Sequence, residues 1–184
     1  MRHALLLSAL GALAALTASA QTATADIETV PEPEFAQVIY RLDAGRLVPL
    51  ERQFPTNTRT KTSGFLVFNS QSAWEFAGAK SAVRFASGAA LEFVVRPPSD
   101  RHDPAMMYHL RKLDSKRQTR ELVLFKMHSS PFGTSMSQTG PGELPLTFTR
   151  YGWASIKITV AELQPGEYAF QVRQFQTLFC FGMD

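Results

Sequence analysis

Leu163-Gln164-Pro165-Gly166-Glu167-Tyr168-Ala169-Phe170 combines a sharp turn with the start of a β-strand. Pro165 restricts its own φ, and Gly166 adopts backbone angles that other residues avoid, so the chain can change direction here. From Tyr168 onward every second residue is large and apolar, and alternate side chains of a strand lie on opposite faces of a sheet. The stretch therefore predicts a corner that leads into a strand with one buried face.

These eight residues resemble the corner that precedes a late strand of immunoglobulin-like sandwiches. In that fold a Tyr near the start of the strand bonds through its hydroxyl to the backbone just upstream. The resemblance implies that Tyr168 is buried and bonds to a backbone group within residues 161–164. Phe170 stands where antibody domains carry their second bridging Cys. Because Cys180 is the single cysteine of the chain, no intrachain disulfide can form.

Alternation with a period of two recurs from Phe35 onward, whereas no window of a dozen residues carries an amphipathic helical stripe. Residues 122–125 are apolar throughout, which predicts a strand covered on both faces. Residues 129–145 are rich in Ser, Thr, Gly and Pro and predict a long loop with at most one weak edge strand. We expect an all-β protein, an antiparallel β-sandwich of immunoglobulin-like type with about eight or nine strands. Clear alternation occupies residues 83–85, 91–96, 156–160 and 167–173.

The N-terminal residues predict export. A basic residue precedes an uncharged, largely apolar run over residues 4–16, and Ala18-Ser19-Ala20 then offers the small residues that a signal peptidase accepts. The run is too short for a membrane-spanning helix, which needs about 20 residues. We expect a signal peptide at residues 1–20, a flexible leader at residues 21–34 and a single β-sandwich domain at residues 35–184. The sequence predicts a location in the periplasm or outside the cell, and no transmembrane segment in the mature chain.

Composition indicates a packed domain and gives no sign of bulk electrostatic binding. Hydrophobic residues make up 45% of the chain, with 14 Phe, and the formal net charge is only +3. Nucleic-acid binding draws most of its non-specific affinity from clustered positive charge, so we expect no nucleic-acid partner. The chain shows neither a Gly-rich loop before a helix nor metal-ligand spacing, and the sequence therefore predicts no cofactor.

Four short segments stand out from the alternating strands: Pro33-Glu34-Phe35-Ala36, Trp74-Glu75-Phe76, Pro165-Gly166-Glu167-Tyr168 and Phe179-Cys180-Phe181-Gly182-Met183-Asp184. Together they resemble a group of exported bacterial proteins of unknown function. The resemblance spans most of the chain after the predicted signal peptide. It implies neither an activity nor a catalytic residue.

The one concentration of charge surrounds a predicted hairpin tip at residues 113–119. Such a tip could dock on an envelope protein, an acidic polysaccharide or another anionic surface. The alternative is structural, because charged hairpin ends keep strands soluble and prevent edge pairing. The basic residues are Arg111, Lys112, Lys116, Arg117 and Arg120.

Candidate catalytic residues are few. His109 and His128 lie on neighbouring predicted strands and could meet an acid, although neither belongs to a His-x-His or His-Glu-x-x-His motif. Gly133-Thr134-Ser135-Met136-Ser137 lacks the second Gly of a serine-hydrolase elbow. Cys180 lies in an apolar segment, which is typical of a buried structural thiol.

We therefore expect a non-enzymatic exported module that serves binding or assembly. The alternative is a hydrolase or metal-dependent enzyme whose site brings His109, His128 and a nearby acid together only in three dimensions. A polar cleft that holds both histidines would favour the enzyme. A polar surface with one apolar or basic patch would favour the binding module.

The predicted signal peptide has a direct test. Because Ala18-Ser19-Ala20 ends the short apolar run, we expect the exported protein to begin at or near Gln21. N-terminal sequencing of protein recovered from the periplasm or the medium measures this. Recovery of exported protein that still carries Met1 would show that the segment is not removed.

Overall fold

The structure, a computed structural model, describes residues 30–88, 90–99, 101–137, 143–173 and 175–184. Nearly all of the described secondary structure is β, which confirms the prediction of an all-β fold. These ranges contain fourteen strands and one short helix, α1 (Pro104–Met107). The strands are β1 (Ile39–Asp43), β2 (Arg46–Pro49), β3 (Glu51–Gln53), β4 (Asn57–Ser63), β5 (Phe68–Ala77), β6 (Arg84–Phe85), β7 (Leu91–Val95), β8 (Tyr108–Ser115), β9 (Thr119–Ser130), β10 (Gly133–Ser137), β11 (Leu146–Tyr151), β12 (Ser155–Val160), β13 (Gly166–Val172) and β14 (Leu178–Met183).

The strands form two sheets. The smaller sheet has the order β11-β12-β7-β1-β2, and the larger has the order β3-β14-β13-β8-β9-β5-β4, with β10 beside β9 and β6 beside β14. Within the described ranges every strand pair is antiparallel except β6 with β14. The predicted number of eight or nine strands is too low, because short polar strands such as β3 and β4 carry no apolar alternation. The immunoglobulin-like type of the sandwich stays a prediction.

The main core lies between the two sheets and is rich in aromatic rings. Phe93 of β7 faces Phe170 of β13 and Phe181 of β14, with ring centroids 4.9 and 5.2 Å apart. Both separations lie in the range where aromatic pairs stabilise a core beyond simple burial. All three rings are fully buried, because alternate residues of their strands face the opposite sheet.

The corner before β13 is built as the sequence predicts. Tyr168 is buried with its ring stacked on that of Phe181, and its hydroxyl donates a hydrogen bond of 2.7 Å to the carbonyl oxygen of Gln164. The predicted bond to the backbone of residues 161–164 is therefore confirmed. It closes the turn from which β13 enters the larger sheet, between β8 and β14.

A second apolar cluster covers the outer face of the larger sheet. Ala169 of β13 and Cys180 of β14 alternate with residues of the main core, so their side chains lie on the other face. They pack with Phe76 of β5 and Leu122 of β9. The larger sheet therefore folds back at β8, which pairs with β13 along most of its length and with β9 only at its end.

β9 continues well past this second cluster. The prediction that residues 122–125 are covered on both faces is confirmed for Leu122 and Val123, which are buried, but Leu124 and Phe125 are only half-buried. Beyond them the side chains of β9 are exposed or half-buried. β4, which borders β5, is exposed at all seven positions. We call this extension beyond the core the arm. It consists of β4, β10, residues 68–72 of β5 and residues 125–130 of β9.

Residues 30–34 begin the described chain and belong to the leader that the sequence predicts to be flexible. Glu32 accepts a hydrogen bond of 2.7 Å from the backbone N–H of Trp153 and another from the hydroxyl of Ser155. This end of the leader is therefore held against the β11–β12 hairpin. The predicted signal peptide and the rest of the leader lie outside the described residues. In the described part of the chain, no helix is long and apolar enough to cross a membrane.

Removing the Tyr168 hydroxyl should destabilise the fold. We expect Tyr168→Phe to lower the free energy of unfolding by about 0.5–1.5 kcal/mol, the usual net contribution of one hydrogen bond. Tyr168→Ala also leaves a cavity in the core and should lower it by about 3–5 kcal/mol. Denaturant titration of each variant measures both changes.

Tyr108 provides the matched control. It is buried in the same core, but its hydroxyl has no hydrogen-bond partner among the described residues. Tyr108→Phe removes an unsatisfied polar group and should leave the stability unchanged or raise it. If the two Phe variants were equally stable, the corner bond would contribute nothing to the fold.

Candidate functional site

The structure disperses the basic cluster predicted around the β8–β9 hairpin. Lys112, Lys116 and Arg117 are exposed. Arg111 is half-buried and donates a hydrogen bond of 3.2 Å to a backbone carbonyl of β9. Arg120 is fully buried, with 0% of its side chain exposed, so it is not available to a ligand at the surface. Three of the five predicted basic residues are therefore exposed there.

Arg120 instead joins separate parts of the larger sheet. Its Nη2 donates a hydrogen bond of 3.0 Å to the carboxylate of Glu51 on β3, and its Nη1 lies 3.6 Å from the carboxylate of Glu167 on β13. Two backbone carbonyls at the end of β5, those of Ala77 and Gly78, accept further bonds of 3.2 and 3.1 Å. A buried charge is stable only when it is paired and hydrogen-bonded. Nε and Nη2 of Arg120 are hydrogen-bonded, whereas Nη1 has only the ion pair with Glu167 among the described residues.

The same carboxylates bind the loop that follows β5. Glu51 accepts a hydrogen bond from the Ser81 hydroxyl, while Glu167 accepts one of 2.7 Å from the Ser81 backbone N–H and one from Arg84. Burial opposes ionisation of Glu51, but its hydrogen bonds, led by that of Ser81, outweigh burial and hold its pKa below the ordinary value of 4.5. Together with Arg120, these residues form what we call the buried network.

The two histidines of the enzyme alternative are not brought together. His109 of β8 is hydrogen-bonded to Glu143, whereas His128 of β9 is hydrogen-bonded to Asn69 of β5 at 2.8 Å. Their strands are neighbours, as predicted, but β8 and β9 pair only near the hairpin, far from His128 along β9. Within the described ranges, no group of three or more His, Cys, Asp and Glu residues could hold a metal ion. The structure therefore does not assemble one site from both histidines.

Cys180 has the surroundings of a structural thiol. It belongs to the second apolar cluster and is fully buried. Burial raises the pKa of its thiol to about 12, so the thiolate required for nucleophilic attack is scarce at neutral pH.

A polar groove of about 650 Å³ runs along the arm, from the β8–β9 tip toward the β4–β5 and β9–β10 turns. Its lining on β9 extends from Glu121 to His128, which is roughly 23 Å at about 3.3 Å per residue. The described lining offers hydroxyl, amide, ammonium, imidazole and carboxylate groups together with the apolar side chains of Met127 and Met136, and includes no Phe, Tyr or Trp ring. The groove thus presents many hydrogen-bond donors along an extended path.

Two rows of side chains lie next to each other across the arm. Residues directly opposite on neighbouring strands project from the same face of a sheet. The first row, on β4, β5 and β9, is Lys61, Gln71 and Lys126. The second row, which extends to β10, is Ser63, Asn69, His128 and Ser135. Two lysines therefore flank one glutamine, and the hydrogen bond between Asn69 and His128 orders the row beside them.

Glu121 closes the end of the groove nearest the core. Its side chain is only 2% exposed, and its Oε1 has no hydrogen-bond partner among the described residues. Asp114 lies opposite it on β8 and is a second acid at this end. Three cations approach the Glu121 carboxylate to 3.8 Å, and they are Arg59, Lys61 and Lys116. These cations outnumber the two acids, and Lys126 adds further positive charge along the groove.

Sequence reasoning missed the groove because its residues lie in segments without apolar alternation. Asn57-Thr58-Arg59-Thr60-Lys61-Thr62-Ser63 nevertheless alternates Thr with basic residues, and Thr favours strands. This alternation is the signal by which β4 could have been found. β10 agrees with the one weak edge strand allowed within residues 129–145.

No family model, curated protein or solved structure matches this chain. The groove is therefore interpreted from its own geometry. The resemblance to exported bacterial proteins stays a prediction.

Arg120→Met should destabilise the protein strongly. Methionine is also long, but it leaves Glu51 and Glu167 without their buried cation, and breaking a buried ion pair lowers the free energy of unfolding by about 3–5 kcal/mol. Chemical denaturation measures the change. Arg117→Met at the exposed tip is the matched control and should alter stability by less than about 0.5 kcal/mol. A loss no larger than that of the control would contradict the role given to the buried network.

The buried network also implies a dependence on pH. Because the folded-state pKa of Glu51 is lowered, its contribution to stability is fully present above about pH 4.5 and disappears as the pH falls through the lowered value. Denaturation at a series of pH values should show this decline, and Glu51→Gln should make it shallower.

Proposed function

We propose that this protein is a non-enzymatic exported binding module whose groove along the arm takes an acidic polysaccharide. The observation that carries the proposal is the row of Lys61, Gln71 and Lys126, beside which Lys116 adds a third ammonium group. Among the described residues, Lys126 has no ion-pair partner. Its charge is therefore directed at solvent or at a ligand.

The side chains of the groove can bind both the acidic groups and the hydroxyl groups of such a ligand. Lysine ammonium groups donate charge-assisted hydrogen bonds to carboxylate or sulfate groups, and these bonds are about twice as strong as neutral ones. The amides of Asn69 and Gln71 and the hydroxyl of Ser63 both donate and accept, which suits sugar hydroxyls. The roughly 23 Å of lining along β9 suits an extended chain of sugar units rather than a small compact molecule.

A nucleic acid would suit this groove less well. Proteins that bind single strands without sequence preference stack the bases on aromatic side chains. The described lining of the groove contains no Phe, Tyr or Trp. The ammonium, amide and hydroxyl groups of the groove instead suit a ligand that offers acidic and hydroxyl groups for hydrogen bonding, as an acidic polysaccharide does.

The enzyme alternative finds less support in the groove. Of its two histidines only His128 lines the groove, while His109 is bonded to Glu143 elsewhere. The buried acid Glu121 is already surrounded by three cations of the protein. These groups stabilise one another, which agrees better with a binding surface than with a proton-transfer site.

Replacing two groove lysines should weaken binding of an acidic polysaccharide. For K61Q/K126Q we expect the Kd for heparin or polygalacturonate to rise at least about tenfold, because each charge-assisted hydrogen bond contributes about 1.5–3 kcal/mol and 1.4 kcal/mol is tenfold. Isothermal titration calorimetry or affinity chromatography at fixed salt measures the change.

The control is K112Q/R117Q, which removes the same charge from the exposed β8–β9 tip outside the groove. It should change the Kd by less than about twofold, since bulk attraction is screened at physiological salt. Equal losses in both variants would mean that the protein binds polyanions through overall charge and not through the groove. A parent protein that binds neither polysaccharide would also contradict the proposal.

A further inference from the structure

Two turns at the outer end of the arm expose large apolar side chains. The β4–β5 turn carries Phe65 and Leu66, which are 88% and 70% exposed, and the neighbouring Val67 and Phe68 are exposed as well. The β9–β10 turn carries Phe132, which is 100% exposed. Single exposed apolar residues are ordinary, but a contiguous group of them marks an interaction site.

The register of the arm brings these two turns side by side. Phe68 at the start of β5 pairs with Ser129 near the end of β9, so both turns lie at the same end of the strands. Because β5 and β9 are neighbours and lie between β4 and β10, the centres of the two turns are about two strand spacings, or roughly 10 Å, apart. Phe65, Leu66, Val67, Phe68 and Phe132 therefore form one apolar surface, which we call the tip surface.

The β4–β5 turn is a defined structure that only glycine permits. Gly64 has a φ of +117°, and a Cβ atom at this position would lie 1.6 Å from the carbonyl oxygen of Val67. The close approach of the two backbone segments holds Phe65 and Leu66 outward at the end of the arm. Their exposure follows from the turn itself.

The outer segments of the strands that support the tip surface contain basic residues but no acidic ones. Residues 52–74 and 122–137 contain no Asp or Glu. They contain Lys61 and Lys126, which lie in one row across the arm, about 10 Å and about 17 Å behind their respective turns at about 3.3 Å per residue. The arm therefore ends in apolar side chains with basic residues behind them. This order is complementary to a partner that is apolar inside and carries negative charge where it meets water.

We propose that the tip surface inserts into the interfacial region of an anionic lipid bilayer. Segments bound in this way bury their apolar side chains about 5–10 Å deep, so the ammonium group of Lys126, at the end of a long side chain, approaches the lipid phosphates, whereas that of Lys61 lies 3.8 Å from the Glu121 carboxylate. The two turns protrude and do not enclose a pocket. This shape suits insertion between the lipids of a fluid bilayer. This inference goes beyond the polysaccharide function, because the tip surface consists of other residues and faces another partner.

Binding to lipid vesicles tests the proposal. The full protein is mixed with vesicles of phosphatidylcholine or of an equimolar mixture with phosphatidylglycerol, and the bound fraction is measured by cosedimentation. We expect the parent to bind the anionic vesicles at least about tenfold more tightly than the neutral ones. F65S/L66S/F132S should weaken binding to the anionic vesicles at least about tenfold. Binding of this variant equal to that of the parent would overturn the proposal.

The control replaces exposed apolar residues away from the arm. M106S/W153S removes two such side chains, one on α1 and one on the β11–β12 hairpin, and should bind vesicles as the parent does. All variants share the same residues before Val30, so a contribution of that segment is the same in each. The tip variant should also keep its affinity for heparin, so failure of the tip surface and failure of the groove are distinguishable.

Insertion also has a spectroscopic signature. Phe132→Trp places an indole at the most exposed position of the tip surface, and its fluorescence should shift to shorter wavelength when anionic vesicles are added. The parent, whose Trp74 and Trp153 lie elsewhere, should show no comparable shift. An unchanged spectrum of Phe132→Trp would contradict insertion. A second result would also contradict insertion: the parent self-associates and does not bind vesicles, whereas the tip variant is monomeric. In that case the tip surface would be an interface between copies of this chain.

Discussion

The rest of the structure depends on the buried guanidinium of Arg120. A cation with no contact to water is stable only while its partners surround it, and here they are the carboxylates of Glu51 and Glu167 and two backbone carbonyls. These partners come from β3, from β13 and from the end of β5, which are distant in sequence. Because Arg120 lies at the start of β9, the same contacts fix the base of the strand that continues into the arm.

A glycine leaves the space in which two side chains of the buried network meet. Gly182 lies opposite Glu167 on β14, and a Cβ atom there would stand 1.9 Å from Nη1 of Arg84 and 2.8 Å from the Glu167 carboxylate. Without that atom Arg84 reaches Glu167 on one side while Arg120 approaches it on the other. A glycine within an otherwise bulky strand commonly marks such a close approach.

The strands whose side chains alternate between buried and exposed positions were predictable from the sequence. So was the corner before β13, because the residues that form it are close together in the chain. The segments at residues 91–96, 156–160 and 167–173 correspond to β7, β12 and β13, and the Tyr168 bond follows from the turn that precedes it. The burial of Arg120 was not predictable in this way. Its neighbours in the sequence are the same whichever face of β9 the side chain occupies, so the sequence does not distinguish a buried arginine from an exposed one. The separation of the two histidines depends on register and on the bend at β8, which local patterns do not record.

β9 changes in character along its length, and both proposals depend on this change. At its base Arg120 and Glu121 meet opposite charges of the protein itself. Further along, Lys126 stands in a segment without acids, and beyond the strand Phe132 is fully exposed. Unpaired cations behind an exposed ring add little to the stability of an isolated chain. The outer half of β9 therefore supports both proposals, that of an acidic ligand along the groove and that of an apolar environment beyond the turn.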